Sequence, residues 1–393
     1  MGLTSGTIRV VQLGCGITGL VCAEQLTKNP RVDEVVLADA RTDAAEAMAA
    51  RVKSEKISIQ KVEATKDDDL KKLLKGSQLV VSSLPWLLNM RVLKNAASLG
   101  VDYVDFCLTI DKIEEYGPVA KMVMDAGITA LTSTGEDPGI SDCFARAGAN
   151  LLDEAWESRV MDGDSGSADG VGFFSLWSPI DLLEETTVPA AVFRDGKLTY
   201  VPPLHEREFY DFPQPVGRLP VYKTNHEETY LMPKFINGLR NADFRIAIED
   251  EWAAAATMIR KLGLHSFEPI DVKGVKVRPI DVVVATMPRP VDLIGKVKGW
   301  AAVVVEVYGM KNGKKTMVKH WTMMSHEKAY QLCNSNATGY LVGCGGAAAA
   351  ELLIDGELKD KGYLVPEQLP AEKLIARLPK KGLEVKKTIQ QLQ

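Results

Sequence analysis

The stretch RVVQLGCGITGLVCAEQL sets Gly14, Gly16 and Gly19 between an apolar strand-like run and an apolar helix-like run. Glycine loses more conformational freedom on folding than any other residue, so this cluster implies a backbone that must turn tightly or approach something closely. In the spacing G-x-G-x-x-G each glycine serves a different need, with a tight turn at Gly14, approach of a diphosphate at Gly16, and helix-on-strand packing at Gly19. A helix opening at Ile17 and Thr18 presents backbone N–H groups and a partial positive charge to phosphate. Asp39 closes the next strand at the distance where a carboxylate meets the adenosine ribose. These residues, with Ala40 and Arg41, predict a dinucleotide site. Asp39 repels a 2′-phosphate and favours NAD, while Arg41 leaves NADP open.

Residues 8 to 140 repeat one rhythm of apolar strand, polar turn and amphipathic helix, which describes a Rossmann-type doubly wound α/β fold with a parallel sheet. The strand end SSLPW places Ser83, Leu84 and Pro85 on the cofactor crevice, since strand ends face the ligand in open α/β sheets. After residue 140 strand-like runs such as GVGFFSLWS, AVFRDGKLTYVPP and GWAAVVVEVYGMKNGKKTMVKHWTMM follow one another with short connections. Asp-Gly and Asn-Gly pairs mark hairpin turns there, so a mixed sheet is expected. The expected division is a dinucleotide domain over 1–140, completed by 331–393, around an inserted α/β domain over 141–330.

A net charge of -5 excludes the clustered positive surface a nucleic-acid binder needs. Cys15, Cys22, Cys107, Cys143, Cys333 and Cys344 form no C-x-x-C pair and no metal-type spacing with histidine, so reduced thiols, no metal and a cytoplasmic location are expected. No uninterrupted apolar run has the length of a membrane span, and no membrane partner is expected.

The segment STGEDPGISDCFARAGANL gathers Glu136, Asp137 and Asp142 around a Pro-Gly turn that leads into a helix, where Ser141 or Asp142 suits a cap. Further on, residues 223–245 concentrate Lys223, Asn225, His226, Glu227, Glu228, Arg240 and Arg245. A loop of this polarity inside an insertion domain suits recognition of a zwitterion.

The glycine-rich opening, the SLP strand end, YVDFCLT, GEDPGISD and the closing ATGYLVGCGGAAAAELLIDGELKDKGYLVPEQLP together resemble the saccharopine dehydrogenase group, including saccharopine reductases and lysine 6-dehydrogenase. The resemblance implies a homodimer and a substrate contact at Asp137; Glu136 and Asp105, the latter on a strand end near the nicotinamide half, are further expected substrate contacts. Where saccharopine reductases carry an arginine after Ser-Pro, FSLWSPIDLLEE has Ile180, which removes the residue best suited to a substrate carboxylate and points to a smaller amino acid such as lysine. Arg240 or Arg245 is then the replacement clamp.

The expected activity is NAD(P)-dependent oxidation at the C–N bond of an amino acid, with Asp137 or His226 as general base. The alternatives are reductive condensation of an amino acid with a keto acid or aldehyde, as in opine or carboxyspermidine formation, and a non-catalytic dinucleotide-binding regulator.

Overall fold

A computed structural model describes residues 8–110, 113–358 and 360–393, which divide into two compact units. The first runs to Ala147 and resumes at Gly339–Val385; the second comprises Gly148–Thr338 and Lys386–Gln393.

The first unit is built on β1 (Ile8–Leu13), β2 (Val32–Asp39), β3 (Ile57–Lys61), β4 (Leu79–Ser82), β5 (Asp102–Asp105) and β6 (Thr129–Leu131). A seventh strand, Gly362–Leu364, joins them from the far end of the sequence. The order is β3-β2-β1-β4-β5-β6 and then Gly362–Leu364, and every pair is parallel. Strands covered on both faces read as continuous apolar runs, which is why β4 is buried throughout. The helix Ala337–Ile354 is long and apolar enough to cross a membrane, yet 83% of that window is buried in the protein. Its seat explains its glycines: a Cβ on Gly345 would stand 2.0 Å from the Gly135 carbonyl oxygen, and one on Gly346 2.0 Å from the Phe106 ring.

The second unit holds β7 (Glu154–Asp164), β8 (Ser167–Ala168), β9 (Ala190–Arg194), β10 (Lys197–Val201), β11 (His205–Asp211), β12 (Arg218–Lys223) and β13 (Asn241–Ala247). There follow β14 (Ile270–Val272), β15 (Val275–Val277), β16 (Val297–Lys298), β17 (Trp300–Lys311) and β18 (Lys314–Ser325); Gly362–Leu364 is then β19, and β20 is Lys386–Gln391. The main sheet runs β10-β9-β13-β7-β17-β18-β20, with β12 added on β13 and β11 on β12. Only β13 and β7 pair in parallel within it, so the sheet is mixed as expected. The Asp-Gly and Asn-Gly turns form where expected, with Asp195 and Asn312 at φ of 52° and 51° ahead of their glycines.

Three expectations need correction. The first unit runs on to Ala147 rather than 140 and resumes at Gly339 rather than 331, and the last strand belongs to the second unit, where it pairs with β18 rather than completing the dinucleotide domain. GVGFFSLWS forms no long strand; its aromatics pin an irregular segment instead. Phe173 stacks on Trp252 at 4.9 Å, and Phe174 and Trp177 pack around Leu176 and Leu293.

Candidate active site

In the first unit Gly14 and Gly19 behave as their spacing predicts. Gly14 has a φ of +94°, and its amide donates to the Ala38 carbonyl. A Cβ on Gly19 would lie 2.2 Å from the Ser83 hydroxyl and 2.3 Å from the Gly14 carbonyl oxygen, so only glycine lets the helix Ile17–Thr27 seat there. Gly16 differs: a Cβ there would meet nothing within 4 Å. It is exposed and stands as the N-cap of that helix. This is a cradle with room for a diphosphate against backbone. Asp39 is held beside it, its two carboxylate oxygens accepting from the Cys15 and Arg41 amides at 2.7 and 2.9 Å. A cavity of about 260 Å³ opens past exposed Ala40, lined by Lys61, Val62, Glu63 and Asp69. It offers an adenosine moiety space beyond Asp39. Ser83 ties β4 to the glycine loop by donating to the Gly14 carbonyl at 2.9 Å. Leu84 and exposed Pro85 continue from it along the same strand end.

The Asp137-Pro138-Gly139 turn follows β6 at the same C-terminal end of the parallel sheet. Asp142 reaches back to accept from the Gly139 amide at 2.7 Å, the expected cap. Glu136 is buried, whereas Asp137 is only partly so.

Asp105 is corrected from substrate contact to scaffold. It is fully buried, and both oxygens are engaged from within the chain. Oδ2 accepts from the Tyr103 and Thr109 hydroxyls, and Oδ1 from the Thr132 hydroxyl and the Ser133 amide. Burial pushes its carboxyl up to about 7 against the pull of those donors. The residue thereby fixes the loop that carries the Asp137 turn.

The second unit contains a group that local sequence shows only in part. Asp162 and Asp164 lie two apart near the end of β7 and so share one face of the sheet. Asp181 and Glu185 lie four apart on the helix Pro179–Thr187, again on one face. With His226, Glu227 and Glu228 they form a cluster in which carboxylates outnumber cations. His226 stacks on Phe244 at 3.9 Å and shares a short hydrogen bond from Nδ1 with Glu228. Burial alone would lower its pKa, but Glu228, then Glu227 and Glu185, carry it up to about 10. Burial, reinforced by neighbouring carboxylates, pushes Asp162 up to about 7, Glu185 to about 8 and Asp181 to about 6. Asp164 has its own partners in His326 at 3.0 Å and Thr338 at 3.1 Å. His326 accepts the Ala337 amide on Nδ1, so its proton is on Nε2, toward Asp164.

The surrounding carboxylates favour the protonated form of His226, which runs against its expected role as general base. His226, Glu227 and Glu228 bring donor atoms within 4.8 Å of one another. The two arginines fail as clamps for this cluster. Arg245 pairs in register with Met161, the opposite face of the sheet from Asp162, and is held among Glu206, Glu208 and Asp243 at 3.3 to 3.6 Å. Arg240 precedes β13, whose other end pairs with Asp162. Ile180 sits in the first turn of the helix that carries Asp181 and Glu185. Those two acids, and Asp162 with Asp164, were readable as same-face pairs at spacings of four and two. Nothing local joins pairs that stand so far apart in sequence.

Comparison with known proteins identifies the family. Residues 10–131 match the saccharopine dehydrogenase NADP binding domain and residues 135–383 the saccharopine dehydrogenase C-terminal domain. A carboxynorspermidine synthase of Vibrio cholerae is 28% identical over 398 residues, covering 95% of each chain. A carboxyaminopropylagmatine dehydrogenase of Synechocystis is 24% identical over 392 residues, covering 95% of this chain and 96% of its own. Among solved structures, a saccharopine dehydrogenase (L-Glu forming) of Saccharomyces cerevisiae superposes with a TM-score of 0.74 at 17% identity, covering 98% of this chain and 100% of that one. A homospermidine synthase of Legionella pneumophila in complex with NAD gives 0.69 at 15% identity, covering 98% and 92%. Glycine cradle, ribose carboxylate, inserted mixed sheet and matching domain models agree: this chain belongs to the saccharopine dehydrogenase family and is an NAD(P)-dependent oxidoreductase.

Proposed function

We propose that the chain joins an amine to a carbonyl compound by reducing the imine between them, and that the amine carries a second cationic nitrogen. The observation that carries this reading is the surplus of carboxyl groups around His226, with Glu228 buried and Asp162, Asp181 and Glu185 partly buried. Carboxyls whose pKa values are raised by burial and by one another return to the ionised form when a cation enters among them. A multiply charged amine brings such a cation; an amino acid brings a carboxylate as well, and the arginines expected to receive it face elsewhere or are paired. The full-length similarity to carboxynorspermidine synthase and carboxyaminopropylagmatine dehydrogenase, both named for carboxylated amine products, points the same way.

The balanced reaction is R–NH2 + O=CH–R′ + NAD(P)H + H+ → R–NH–CH2–R′ + NAD(P)+ + H2O. The nicotinamide, when bound, supplies the hydride. The glycine cradle and Asp39 would orient it, and Asp137 of the same unit is the group to move a proton at the reacting nitrogen; the acidic cluster is the second unit's own site for an ammonium.

The test is a two-way screen. NADH or NADPH consumption is followed with diamines and polyamines plus carboxylated aldehydes, against NAD+ or NADP+ reduction with lysine and with saccharopine. Turnover in the first arm that requires a second cationic nitrogen supports the reading; turnover with lysine or saccharopine and none with the amine–aldehyde pairs overturns it. The apparent KM for the amine is expected to fall as pH rises from 6 to 8, because Asp162 and Glu185 ionise over that range.

A further inference from the structure

Strand β1 carries Val10, Val11, Gln12 and Leu13 fully buried, and of these four Gln12 alone has a polar side chain. It lies in register between Leu37 of β2 and Val81 of β4, directly beneath Gly19, where an added Cβ would stand 2.8 Å from Gln12 Nε2. Nε2 donates to the Gly14 carbonyl at 3.3 Å and to the Ser83 hydroxyl at 3.0 Å, while Oε1 has no hydrogen-bond partner among the described residues. A buried acceptor left unpaired costs stability, and an apolar side chain of the same length would fill this place without that cost. Packing alone does not explain a glutamine here.

We propose that Gln12 is a positioning residue for the dinucleotide, acting through a single peptide group. The carbonyl and amide of a trans peptide point in opposite directions, and the Gly14–Cys15 peptide is gripped on both sides. On one side the Gly14 carbonyl accepts from Gln12 Nε2 and from the Ser83 hydroxyl, the latter at 2.9 Å. On the other the Cys15 amide donates to Asp39 Oδ2 at 2.7 Å. Gly14, at a φ of +94°, leaves this peptide plane loosely determined by its own backbone, so the plane is set from outside. Gln12 grips it from β1 and Ser83 from the end of β4. Releasing the glutamine lets the plane rock and loosens the Cys15 hold on the Asp39 carboxylate. Gly16, where the diphosphate approaches, follows in the same loop, so one peptide governs both the cradle and the ribose carboxylate. This role belongs to the first unit and stands whichever substrate the second unit receives.

The experiment is isothermal titration of the full chain with NADH and with NADPH, beside Gln12→Met, Asp39→Ala and the double variant, with a melting temperature for each. Methionine keeps the length of glutamine and deletes its amide. The Gly14 carbonyl retains the Ser83 hydroxyl, so Gln12→Met strands no acceptor, and its melting temperature is expected to equal or exceed the native one. Its affinity for the preferred dinucleotide is expected to fall roughly tenfold, the weight of one hydrogen bond. In the Asp39→Ala background the same change is expected to cost less than about twofold, because the carboxylate it acts through is gone. Native affinity in Gln12→Met overturns the proposal. So does a loss fully additive with that of Asp39→Ala, or one accompanied by a lower melting temperature, either of which makes Gln12 a packing brace. A native chain that binds neither NADH nor NADPH overturns it together with the cofactor site, whereas failure of the amine–aldehyde screen leaves these titrations to decide by themselves.

Discussion

Two carboxyl groups, fully buried Asp105 in the first unit and partly buried Asp162 in the second, are both pushed up to about 7, for reasons that lead to opposite conclusions. Asp105 is surrounded by neutral donors, three hydroxyls and an amide, so burial is its only adversary. Asp162 has Asp164 and Glu228 as neighbours in addition to burial, with His226 alone opposing them. The first arrangement is complete without a ligand. The second, on the function proposed above, is completed by an arriving positive charge. A raised carboxyl pKa is thus no functional signature by itself; the identity of the neighbours decides.

The largest expected effect tests the complete site. Asp105→Ala leaves the Tyr103, Thr109 and Thr132 hydroxyls and the Ser133 amide without their acceptor, and is expected to cost about 4 kcal/mol in urea unfolding. Asp105→Asn keeps an acceptor and is expected to flatten the pH dependence. In the native chain a carboxyl raised in the folded state loses stability as pH rises from its ordinary value near 4 toward 7, and the amide variant removes that slope.

Next comes Gly19→Ala, which forces a methyl against the Ser83 hydroxyl and the Gly14 carbonyl and is expected to cost about 2 kcal/mol by thermal unfolding. Glu185→Gln reverses the sign. Removing one of the crowded carboxyls is expected to stabilise the ligand-free protein by about 1 kcal/mol above pH 8 while raising KM for the amine. If Glu185→Gln instead destabilises as Asp105→Ala does, the contrast between the two sites collapses. The smallest stability effect belongs to Gly16→Ala, expected within about 0.5 kcal/mol of native. Calorimetry should nonetheless show dinucleotide affinity falling at least roughly tenfold, because the open space beside Gly16 is where the diphosphate approaches.

The readable parts of the sequence are those whose meaning is local. Gly14, Gly16, Gly19 and Asp39 declare themselves by spacing, and the Asp195–Gly196 and Asn312–Gly313 turns by residue type. Parity along β13 was also readable: it sends Phe244 to the His226 side and Arg245 to the other, yet a polar segment taken as one patch hides that alternation. What could not be read depends on distant pairing. The acidic cluster joins a strand end, a helix face and a loop, and only the folded sheet brings residue 162 to residue 226. Lys386–Gln391 pairs with Thr316–Trp321, and nothing within KKTIQQ names that partner.

The path of the chain, from first unit to second, back to the first and finally to the second again, bears on how the molecule is made. Ribosomes deliver β17 and β18 long before residues 386–391, so the hydrogen-bonding flank of Thr316–Trp321 waits uncovered while the whole returning segment of the other unit is synthesised. A nascent chain stalled in that interval would display a raw strand margin, and chaperone capture is expected to concentrate there.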